Sequence, residues 1–286
     1  MANFTHLHLH TEYSLLDGAC RIEELVSYAQ NSGHESLAIT DHGVLYGAVA
    51  FYKACKAQGI KPIIGCEVYV APRSRFDKVH GFDSQRYHLI LLCKNETGYK
   101  NLLKLVSSAW VDGFYTKPRV DRELLAKHHD GLIALSGCLF GEVAQKILQR
   151  NSEDARETAI WYKNTFGEGN YYLEVQNHGM IEEKEVLEGV ADISRELGIP
   201  MVATNDVHYV QREDADIQNV LIAIQTNKVV GESNALAFEN DNFYLKSADE
   251  MAEAFRDYPE AISNTQIIAQ QCNFDFDKMN YYYFRR

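Results

Sequence analysis

The feature that most constrains the fold is a repeated alternation along the first two thirds of the chain. Short runs of apolar and β-branched residues, each bounded by turn residues, alternate with longer segments of helical periodicity. This rhythm is typical of βα units around a parallel sheet. Seven strands are predicted, near residues 4–10, 36–40, 62–70, 87–93, 131–136, 171–176 and 200–205. Seven units predict a β/α barrel with one unit fewer than the common eight.

Amphipathic segments lie between the predicted strands and are expected to form helices. They cover residues 22–31, 44–58, 98–109, 141–149, 153–166 and 181–197. After residue 210 the pattern becomes mostly helical, with a short strand expected at 243–246, a capping box from Ser247 to Glu250 and a helix starting at Pro259. We therefore predict an α/β barrel over residues 1–228 and a mostly helical C-terminal extension over residues 229–286.

Charge restricts the ligands that this chain can hold. The 28 basic residues against 40 acidic ones leave a formal charge of −12, which opposes binding to a phosphate backbone by charge alone. Any contact with nucleic acid must therefore be local or assisted by metal. The six cysteines include no CxxC pair and no cleavable signal precedes them, so we expect reduced thiols and a cytoplasmic protein. No apolar run approaches the roughly 20 residues of a membrane span, so no membrane partner is expected.

The first predicted strand contains three histidines at alternate positions. His6, His8 and His10 would share one face, because residues two apart on a strand point the same way. Three clustered imidazolium cations would repel one another, whereas neutral imidazoles can bind one metal ion. The alternative is a polar strand face with solvated histidines. His8 and His10 are the preferred ligands, and His6 is the weakest candidate of the three.

Ligand-type side chains also stand at the ends of later predicted strands, where α/β barrels gather their catalytic residues. The second predicted strand ends in Asp41 and His42, although Asp41 is equally suited to cap a helix. Asp206 and His208 follow the last predicted strand, and their spacing fits one ion. These pairs predict ligands that converge on one end of the barrel.

Four further side chains are ambiguous when each is taken alone. Glu67 lies in an otherwise apolar strand, and its buried carboxylate needs either bridged metal ions or a plain salt bridge. Cys138 follows the fifth predicted strand and suits zinc as a thiolate, but most lone cysteines are small core residues. Asp17 is either a turn former or a ligand. His88 opens its strand, which in an all-parallel barrel places it at the opposite end from the other candidates.

Together these residues are a stronger signal than any one of them, because nearly every predicted strand end carries an imidazole, a carboxylate or a thiol. About nine N, O and S ligands exceed what one tetrahedral ion needs, which predicts two or three divalent ions in a shared cleft. Clustered ions would reverse the local sign of an acidic protein and let it hold phosphate. Phosphoester hydrolysis is the expected reaction class, and the mixed donors suit zinc, manganese or iron.

Five motifs, in this order and spacing, resemble the polymerase and histidinol phosphatase (PHP) family. They are His8-Leu9-His10-Thr11, Ser14-Leu15-Leu16-Asp17-Gly18, Thr40-Asp41-His42-Gly43, Gly65-Cys66-Glu67 and Asn205-Asp206-Val207-His208. Four further segments are similar to the PHP domains of bacterial replicative polymerase alpha subunits. These segments are residues 95–102, 117–121, 135–138 and 242–247. The resemblance covers almost the whole chain.

The resemblance implies a distorted seven-stranded TIM-like barrel with three metal ions at the C-terminal face of its strands. The implied ligand sets are His8, His10, Glu67 and Asp206 for one ion, Glu67, His88 and Cys138 for a second, and Asp17, His42 and His208 for a third. All nine positions carry competent ligands, which implies a retained phosphoester hydrolase. In those polymerase members of the family that keep all their ligands, the activity is 3′ to 5′ exonuclease proofreading, with a metal-bound hydroxide as nucleophile and no further catalytic side chain required.

Candidate contacts to the substrate phosphate or the metal-bound water are Arg119, Gln176, Asn177 and His178, although each also suits a structural polar role. The resemblance implies a DNA 3′ end as substrate, with the rest of the polymerase and replisome subunits as partners. The carboxylates of a polymerase active site are not expected in a chain this short. Two alternatives remain: a free-standing phosphomonoesterase for a small metabolite, and a non-catalytic, metal-stabilised scaffold that braces the polymerase.

Overall fold

The computed structural model describes residues 3–229 and 240–279. Seven strands in the described residues form one sheet. The strands are β1 (Ser36–Ile39), β2 (Lys61–Val70), β3 (Tyr87–Cys93), β4 (Arg119–Val120), β5 (Leu132–Leu135), β6 (Tyr171–Val175) and β7 (Met201–Ala203). The helices are α1 (Ile22–Asn31), α2 (Ala48–Gln58), α3 (Glu96–Val111), α4 (Arg122–Lys127), α5 (Glu142–Leu148), α6 (Ser152–Phe166), α7 (Ile181–Leu197), α8 (Ala215–Thr226), α9 (Ala248–Ala254) and α10 (Pro259–Gln271). Two short 3₁₀ helices span Arg212–Asp214 and Phe276–Lys278.

The sheet is mixed rather than parallel. Its strand order is β1-β2-β3-β5-β6-β7, and β4 pairs with the last two residues of β2. β3 runs antiparallel to both of its neighbours, β2 and β5, while the other strand pairs are parallel. The expectation of an all-parallel barrel is therefore wrong at β3. β4 is missing from the predicted strands because two residues are too few to show a periodic pattern.

The N-terminal segment closes the curled sheet. It lies between β1 and the residues after β7, with single bridges from His6 to Leu37 and from Leu9 to Val207. A bend at His8 interrupts its pairing, so the first predicted strand is not continuous. The prediction of a distorted seven-stranded α/β barrel is confirmed, with this bridged segment completing the ring.

One end of the barrel interior is filled by apolar side chains from the N-terminal segment and every strand except β4. They are Leu7, Ala38, Ile63, Ile90, Leu92, Ile133, Leu135, Tyr172 and Val202. The end of helix α10 closes this end of the barrel, because Ile268, Ala269 and the following Cys272 belong to the same buried cluster. Burial of a side chain such as Ile268 contributes about 1.5–3 kcal/mol. The predicted helical extension is confirmed, and its last α-helix forms the floor of the barrel.

Local sequence signals set several helix boundaries. α1 and α7 begin and end at the residues that their amphipathic patterns predict. The side chain of Ser247 accepts a hydrogen bond from the Glu250 amide and the Glu250 carboxylate bonds back, so the expected capping box starts α9. Pro259 occupies the first turn of α10, where its missing N–H group costs nothing.

The region after residue 210 departs from expectation in one respect. The strand expected at 243–246 is reduced to a single bridge between Tyr209 and Tyr244. Residues 230–239 and 280–286 of the predicted extension lie outside the described residues, and the boundary between residues 228 and 229 stays a prediction. Among the described helices, none combines the length and the apolar character that a membrane crossing requires.

Candidate metal centre

Polar side chains replace the apolar interior toward the carboxyl ends of the parallel strands. Because alternate residues of a strand share a face, Ile63 and Glu67 of β2 both point inward, as do Tyr172 and Glu174 of β6. The first residue of each pair lies in the apolar cluster, and the second lies within 3.0 Å of a ring nitrogen of His8. The candidate site therefore lies directly above the apolar core, at the strand ends where barrel enzymes place catalytic residues.

His88 belongs to this site because β3 is antiparallel. The β2–β3 pairing sets His88 opposite Tyr69, near the end of β2, so the start of β3 meets the ends of its neighbours. His88 Nδ1 lies 3.1 Å from Glu67 Oε1. The expectation that His88 lies at the opposite end from the other candidates is wrong, and the reversed strand is the reason.

The first ligand group contains His8, His10, Glu67 and Asp206, all buried. His8 Nε2 lies 3.0 Å from Glu67 Oε2 and 3.0 Å from Asp206 Oδ1. His10 Nε2 lies 3.1 Å from the same Asp206 oxygen and 3.1 Å from His8 Nε2. Two ring nitrogens and two carboxylate oxygens thus converge on one point.

The second ligand group contains Glu67, His88 and Cys138. Cys138 Sγ lies 3.5 Å from His88 Nδ1. The two oxygens of Glu67 face different neighbours, because Oε2 approaches His8 while Oε1 approaches His88. Glu67 is therefore placed to bridge the first and second groups.

The third ligand group contains His10, His42 and His208. The rings of His42 and His208 lie on His10 with centroid distances of 3.9 Å and 4.5 Å. Asp17 joins this group, since its Oδ2 lies 3.1 Å from His42 Nε2 and its Oδ1 lies 3.9 Å from His208 Nε2. All nine ligand candidates from the sequence thus lie in one connected cluster.

The cluster fits divalent ions better than it fits internal hydrogen bonds. Asp206 Oδ1 is a buried atom that receives no hydrogen bond from the described residues, although two ring nitrogens lie within 3.1 Å of it. Burial of an acceptor without a partner lowers the stability of the folded state by about 1–3 kcal/mol unless a cation binds to it. Asp206 also has a φ of 43°, a left-handed conformation that aspartate tolerates and that is common where function demands it.

The carboxylates of the cluster are held ionised. Burial opposes the charge of Glu67, but the imidazoles of His88 and His42 lower its pKa well below the usual range. Burial likewise opposes the charge of Asp206, and His8 and His208 lower its pKa. Ionised carboxylates are the form that binds metal, so these two side chains are ready ligands at neutral pH.

Burial and the charged neighbours shift the pKa values of the imidazoles and of the thiol in different directions. Burial and the neighbouring rings of His42 and His208 lower the pKa of His10 to about 3, which keeps it neutral. Burial would also lower the pKa of His8, but the carboxylates of Asp206 and Glu174 raise it. Burial, with the nearby carboxylates, raises the pKa of the Cys138 thiol. A bound metal ion would therefore favour the thiolate of Cys138.

Glu174 supports the cluster and is absent from the sequence-based candidates. Its Oε1 lies 2.7 Å from His8 Nδ1, and its Oε2 accepts from the Gly137 amide at 3.0 Å. Carboxylates in this position orient metal-binding imidazoles and make them better ligands. The signal was available, because Glu174 is a carboxylate within an apolar strand, as Glu67 is.

Asp41 has a similar supporting position. Its Oδ1 accepts from the Thr11 amide at 2.6 Å and from the Ser14 hydroxyl at 2.8 Å, and Ser14 Oγ in turn lies 3.1 Å from His10 Nδ1. Helix α2 begins at Ala48, well past Asp41, so the helix-cap alternative is wrong. Asp41 instead holds the loop that orients His10.

Arg119 does not reach the cluster. Its side chain is fully buried and donates to the backbone carbonyls of Arg75, Asp77, Asp83 and Gly113 at 2.8–3.1 Å. These bonds occupy most of the five N–H groups of a guanidinium. We call Arg119 and these four acceptors the Arg119 anchor. The anchor argues for a structural role and against the expectation that Arg119 contacts the substrate phosphate.

The three candidates after β6 differ in their positions. Gln176 is buried beside the cluster, where its amide donates to Glu174 Oε1 at 3.0 Å. Asn177 is exposed and donates to the Ala254 carbonyl at 2.9 Å, away from the ligands. His178 is buried, with Nδ1 against Glu183 and Nε2 3.0 Å from the Asn205 carbonyl oxygen. Both ring nitrogens of His178 are thus engaged, and only Gln176 borders the metal ligands.

His6 separates from the other two histidines of its run. Its Nε2 lies 2.8 Å from the Lys246 carbonyl oxygen, and its ring packs against His34 with a centroid distance of 5.3 Å. Burial, together with the neighbouring His34, lowers the pKa of His6 to about 3. The expectation that His6 shares a face with His8 is wrong because of the bend at His8.

A closed, distorted barrel with a histidine- and carboxylate-rich cluster at its strand ends defines the class of this protein. The chain matches the family described as PHP domain over residues 6–178, which is more than half of its length, so it belongs to the PHP family. Seven of the nine ligand candidates lie within the matched residues, and Asp206 and His208 follow them.

The chain is also similar to the alpha subunits of DNA polymerase III from several bacteria. It is 52% identical to the Treponema pallidum subunit, over 95% of this chain and 23% of that subunit. It is 45% identical to the Thermus aquaticus subunit, over 97% of this chain and 24% of that subunit. The chain therefore spans about a quarter of the length of these relatives.

A solved structure shares the fold. It is an amidohydrolase from Chromobacterium violaceum, with a TM-score of 0.50 and 16% sequence identity. The likeness covers 72% of this chain and 88% of that one. At this identity the likeness supports the barrel architecture and says nothing of the reaction.

Proposed function

We propose that this chain is a metal-dependent phosphoester hydrolase that acts as a 3′ to 5′ exonuclease on DNA. The observation that carries the proposal is the convergence of eight ligand-type side chains in three adjoining groups, with Asp17 beside the third. Glu67 is shared by two groups and His10 by two, so ions in them would act on one substrate. Neighbouring ions can stabilise both the attacking and the leaving oxygen of a phosphoester.

The first two ligand sets are the first two groups, and in the third set Asp17 takes the place of His10, which already belongs to the first. His8, His10, Glu67 and Asp206 would hold one ion, Glu67, His88 and Cys138 a second, and Asp17, His42 and His208 a third. Two or three divalent ions are therefore proposed. Imidazole, carboxylate and one thiolate suit zinc, manganese or iron, and the thiolate weighs against magnesium.

Ions at these positions supply Lewis acidity for a phosphoryl oxygen and lower the pKa of water. The chain itself orients the ligands that would hold them. Glu174 faces Nδ1 of His8 at 2.7 Å, and Ser14 faces Nδ1 of His10 at 3.1 Å. With their Nδ1 atoms engaged, both rings direct Nε2 into the first group. A cation held in this group would also meet the orphaned oxygen of Asp206 and so offset the desolvation cost of its burial.

The choice of DNA as substrate rests on the similarity to DNA polymerase III alpha subunits. In a longer chain of that kind, the proposal makes this domain a proofreading neighbour of a polymerase domain and of other replisome subunits. Its setting is then the bacterial cytoplasm. The formal charge of −12 means that the phosphate backbone would be held mainly by the ions and by cations close to them.

The test is digestion of single-stranded and mispaired primer DNA, labelled so that shortening from the 3′ end is visible. The reactions contain Mn²⁺ or Zn²⁺, and parallel reactions contain a chelator or small phosphomonoesters. The Asp206→Asn variant is the inactive control, because asparagine also accepts the left-handed backbone at this position. Chelator-sensitive shortening that Asp206→Asn abolishes is the expected result.

Other outcomes choose between the alternatives. Release of phosphate only from small esters would replace the exonuclease by a phosphomonoesterase. Metal binding without any turnover, together with a metal-dependent melting temperature, would leave a scaffold. Unchanged hydrolysis by Asp206→Asn would overturn the assignment of the site.

A further inference from the structure

Two cationic side chains stand beside Tyr69, next to the metal ligands. The ring of Tyr69 lies against His42 and His88, with centroid distances of 6.1 Å and 5.2 Å. The guanidinium carbon of Arg86 lies 5.6 Å from the centroid of the same ring, and Lys117 Nζ lies 5.7 Å from it. One side chain therefore separates each cation from the ligand cluster.

Neither cation is neutralised by an acidic partner in the described part of the chain. Arg86 Nε is buried without a hydrogen-bond partner there, and its Nη1 donates only to the Ser84 carbonyl at 3.3 Å. By contrast, Arg73 of the same loop pairs with Asp83 at 2.6 Å. In a chain with a charge of −12, two unpaired cations beside a metal cluster are positioned for an anion that the protein itself does not supply.

The Arg119 anchor joins the two loops that carry these cations. Its acceptors Arg75, Asp77 and Asp83 belong to the loop between β2 and β3, which leads into Arg86. Its fourth acceptor, Gly113, belongs to the loop between α3 and β4, which carries Lys117. The buried guanidinium thus ties together the backbones of the two loops that carry Arg86 and Lys117.

An exposed aromatic ring also packs against His88. Phe140 is 57% exposed, and its ring centroid lies 5.3 Å from that of His88, with a tilt of 37°. Its carbonyl accepts from the His88 amide at 3.0 Å, which fixes the backbone below the ring. An exposed ring near unpaired cations is the combination that proteins use to bind single-stranded nucleic acid, because bases stack on the ring while cations meet the backbone.

We propose that Arg86, Lys117 and Phe140 form a subsite for a single-stranded nucleic-acid end at the rim of the metal centre. Arg86 and Lys117 hold the phosphate next to the one being hydrolysed, and Phe140 stacks on the terminal base. The inference rests on the proposed exonuclease activity and adds to it the side chains that would recognise the strand end. A small phosphomonoester has no second phosphate and no base, so it cannot use this subsite.

The test compares two substrates in the same protein with Mn²⁺. One is a short single-stranded oligonucleotide, and the other is bis(p-nitrophenyl) phosphate, which probes the metal centre alone. In the double variant Arg86→Gln/Lys117→Gln, the KM for the oligonucleotide is expected to rise about tenfold for each lost charged contact. The salt dependence of oligonucleotide binding should weaken by about 0.7 in log–log slope for each contact. Hydrolysis of the small ester should stay unchanged.

Two further variants sharpen the test. Phe140→Leu should lose about tenfold in preference for a normal 3′ end over an abasic one, because stacking is worth about 1–3 kcal/mol per base. Arg195→Gln is the matched control, since Arg195 is an exposed cation on α7, near the opposite end of the barrel, and pairs only locally with Asp192. The hydrolysis of both substrates by this control variant should equal that by the unaltered protein.

The outcomes separate this inference from the proposed function. Equal changes with both substrates, or no change with either, would overturn the subsite while leaving the hydrolase intact. If the unaltered protein hydrolyses neither substrate, the proposed function fails, and fluorescence anisotropy with a labelled oligonucleotide decides the subsite by itself. Anisotropy curves that coincide for the unaltered protein and the double variant would then refute it.

Discussion

The metal centre and the Arg119 anchor both bury charged side chains, but they satisfy them differently. Arg119 donates to four backbone carbonyls of two loops, so its charge is met within the chain. In the metal centre, carboxylates and imidazoles crowd together and Asp206 Oδ1 is left without a hydrogen bond from the described residues. Burial of charge is common to both regions. The atom without a hydrogen-bond partner distinguishes a site whose side chains suit a bound cation from a structural contact.

Glu67→Gln should produce the largest effect and would sharpen this comparison most. Glutamine keeps the size of Glu67 but removes the charge that faces both His8 and His88. We expect hydrolysis to fall by about a thousandfold, more than the 10–100-fold typical of changes around a metal site. Hydrolysis with Mn²⁺ and the melting temperature with and without metal are the measurements. A variant that keeps its metal-induced rise in melting temperature would refute the bridging position of Glu67.

Arg119→Met should lower the stability of the protein while leaving the stabilisation by metal intact. It leaves four carbonyls without their donor, so the free energy of unfolding should fall by about 3 kcal/mol. Urea unfolding with and without metal measures this loss, and the increment due to metal should be preserved. Arg119→Lys is the matched variant, and it should recover part of the loss because an ammonium reaches fewer carbonyls. A loss of the metal increment in Arg119→Met would break the comparison.

Removal of metal should affect only one of the two regions. A ligand at a hundredfold excess over its Kd stabilises the folded state by about 2.7 kcal/mol, so chelation should lower the melting temperature. The loop between β2 and β3 should remain resistant to limited proteolysis, because the Arg119 anchor contains no proposed metal ligand. Cleavage of this loop on chelation would show that the two regions are coupled.

Glu174→Gln should give the smallest of these effects. The amide retains the shape of Glu174 but weakens the contact that orients His8. We expect metal affinity to fall by about tenfold, the lower end of the range for such supporting carboxylates. Isothermal titration with Zn²⁺ measures the change, and excess metal should restore hydrolysis. Failure of excess metal to restore it would give Glu174 a more direct part in the reaction.

The ligands were predictable from sequence because their signals are local. His8, His10, His42 and Glu67 combine a donor side chain with an apolar run, and strand ends in a barrel converge. The overall βα rhythm and the helix boundaries at α1 and α7 are likewise local patterns. Local sequence patterns are therefore sufficient to predict the fold class and to identify these ligand candidates.

The remaining features depend on contacts between distant residues. The direction of β3 decides the position of His88, and an apolar run carries no sign of its direction. From the sequence, Arg119 is a candidate phosphate ligand. Its structural role depends on two loops, distant in the chain, that place their backbone carbonyls around it. Glu174 shows the same sequence signal as Glu67, but its supporting role follows from its contact with His8, which is far away in the chain.

The apolar floor of the barrel has a consequence for synthesis on the ribosome. Ile268, Ala269 and Cys272 of the C-terminal region fill the same buried cluster as Leu7 and Ala38 from the start of the chain. Domains generally fold from the N-terminus as they emerge, at about 5–20 residues per second. Here the strands emerge first, and their interior stays open to water until α10 appears. Nascent chains stalled before α10 should therefore remain vulnerable to proteases, and the metal centre would be assembled over a core that closes last.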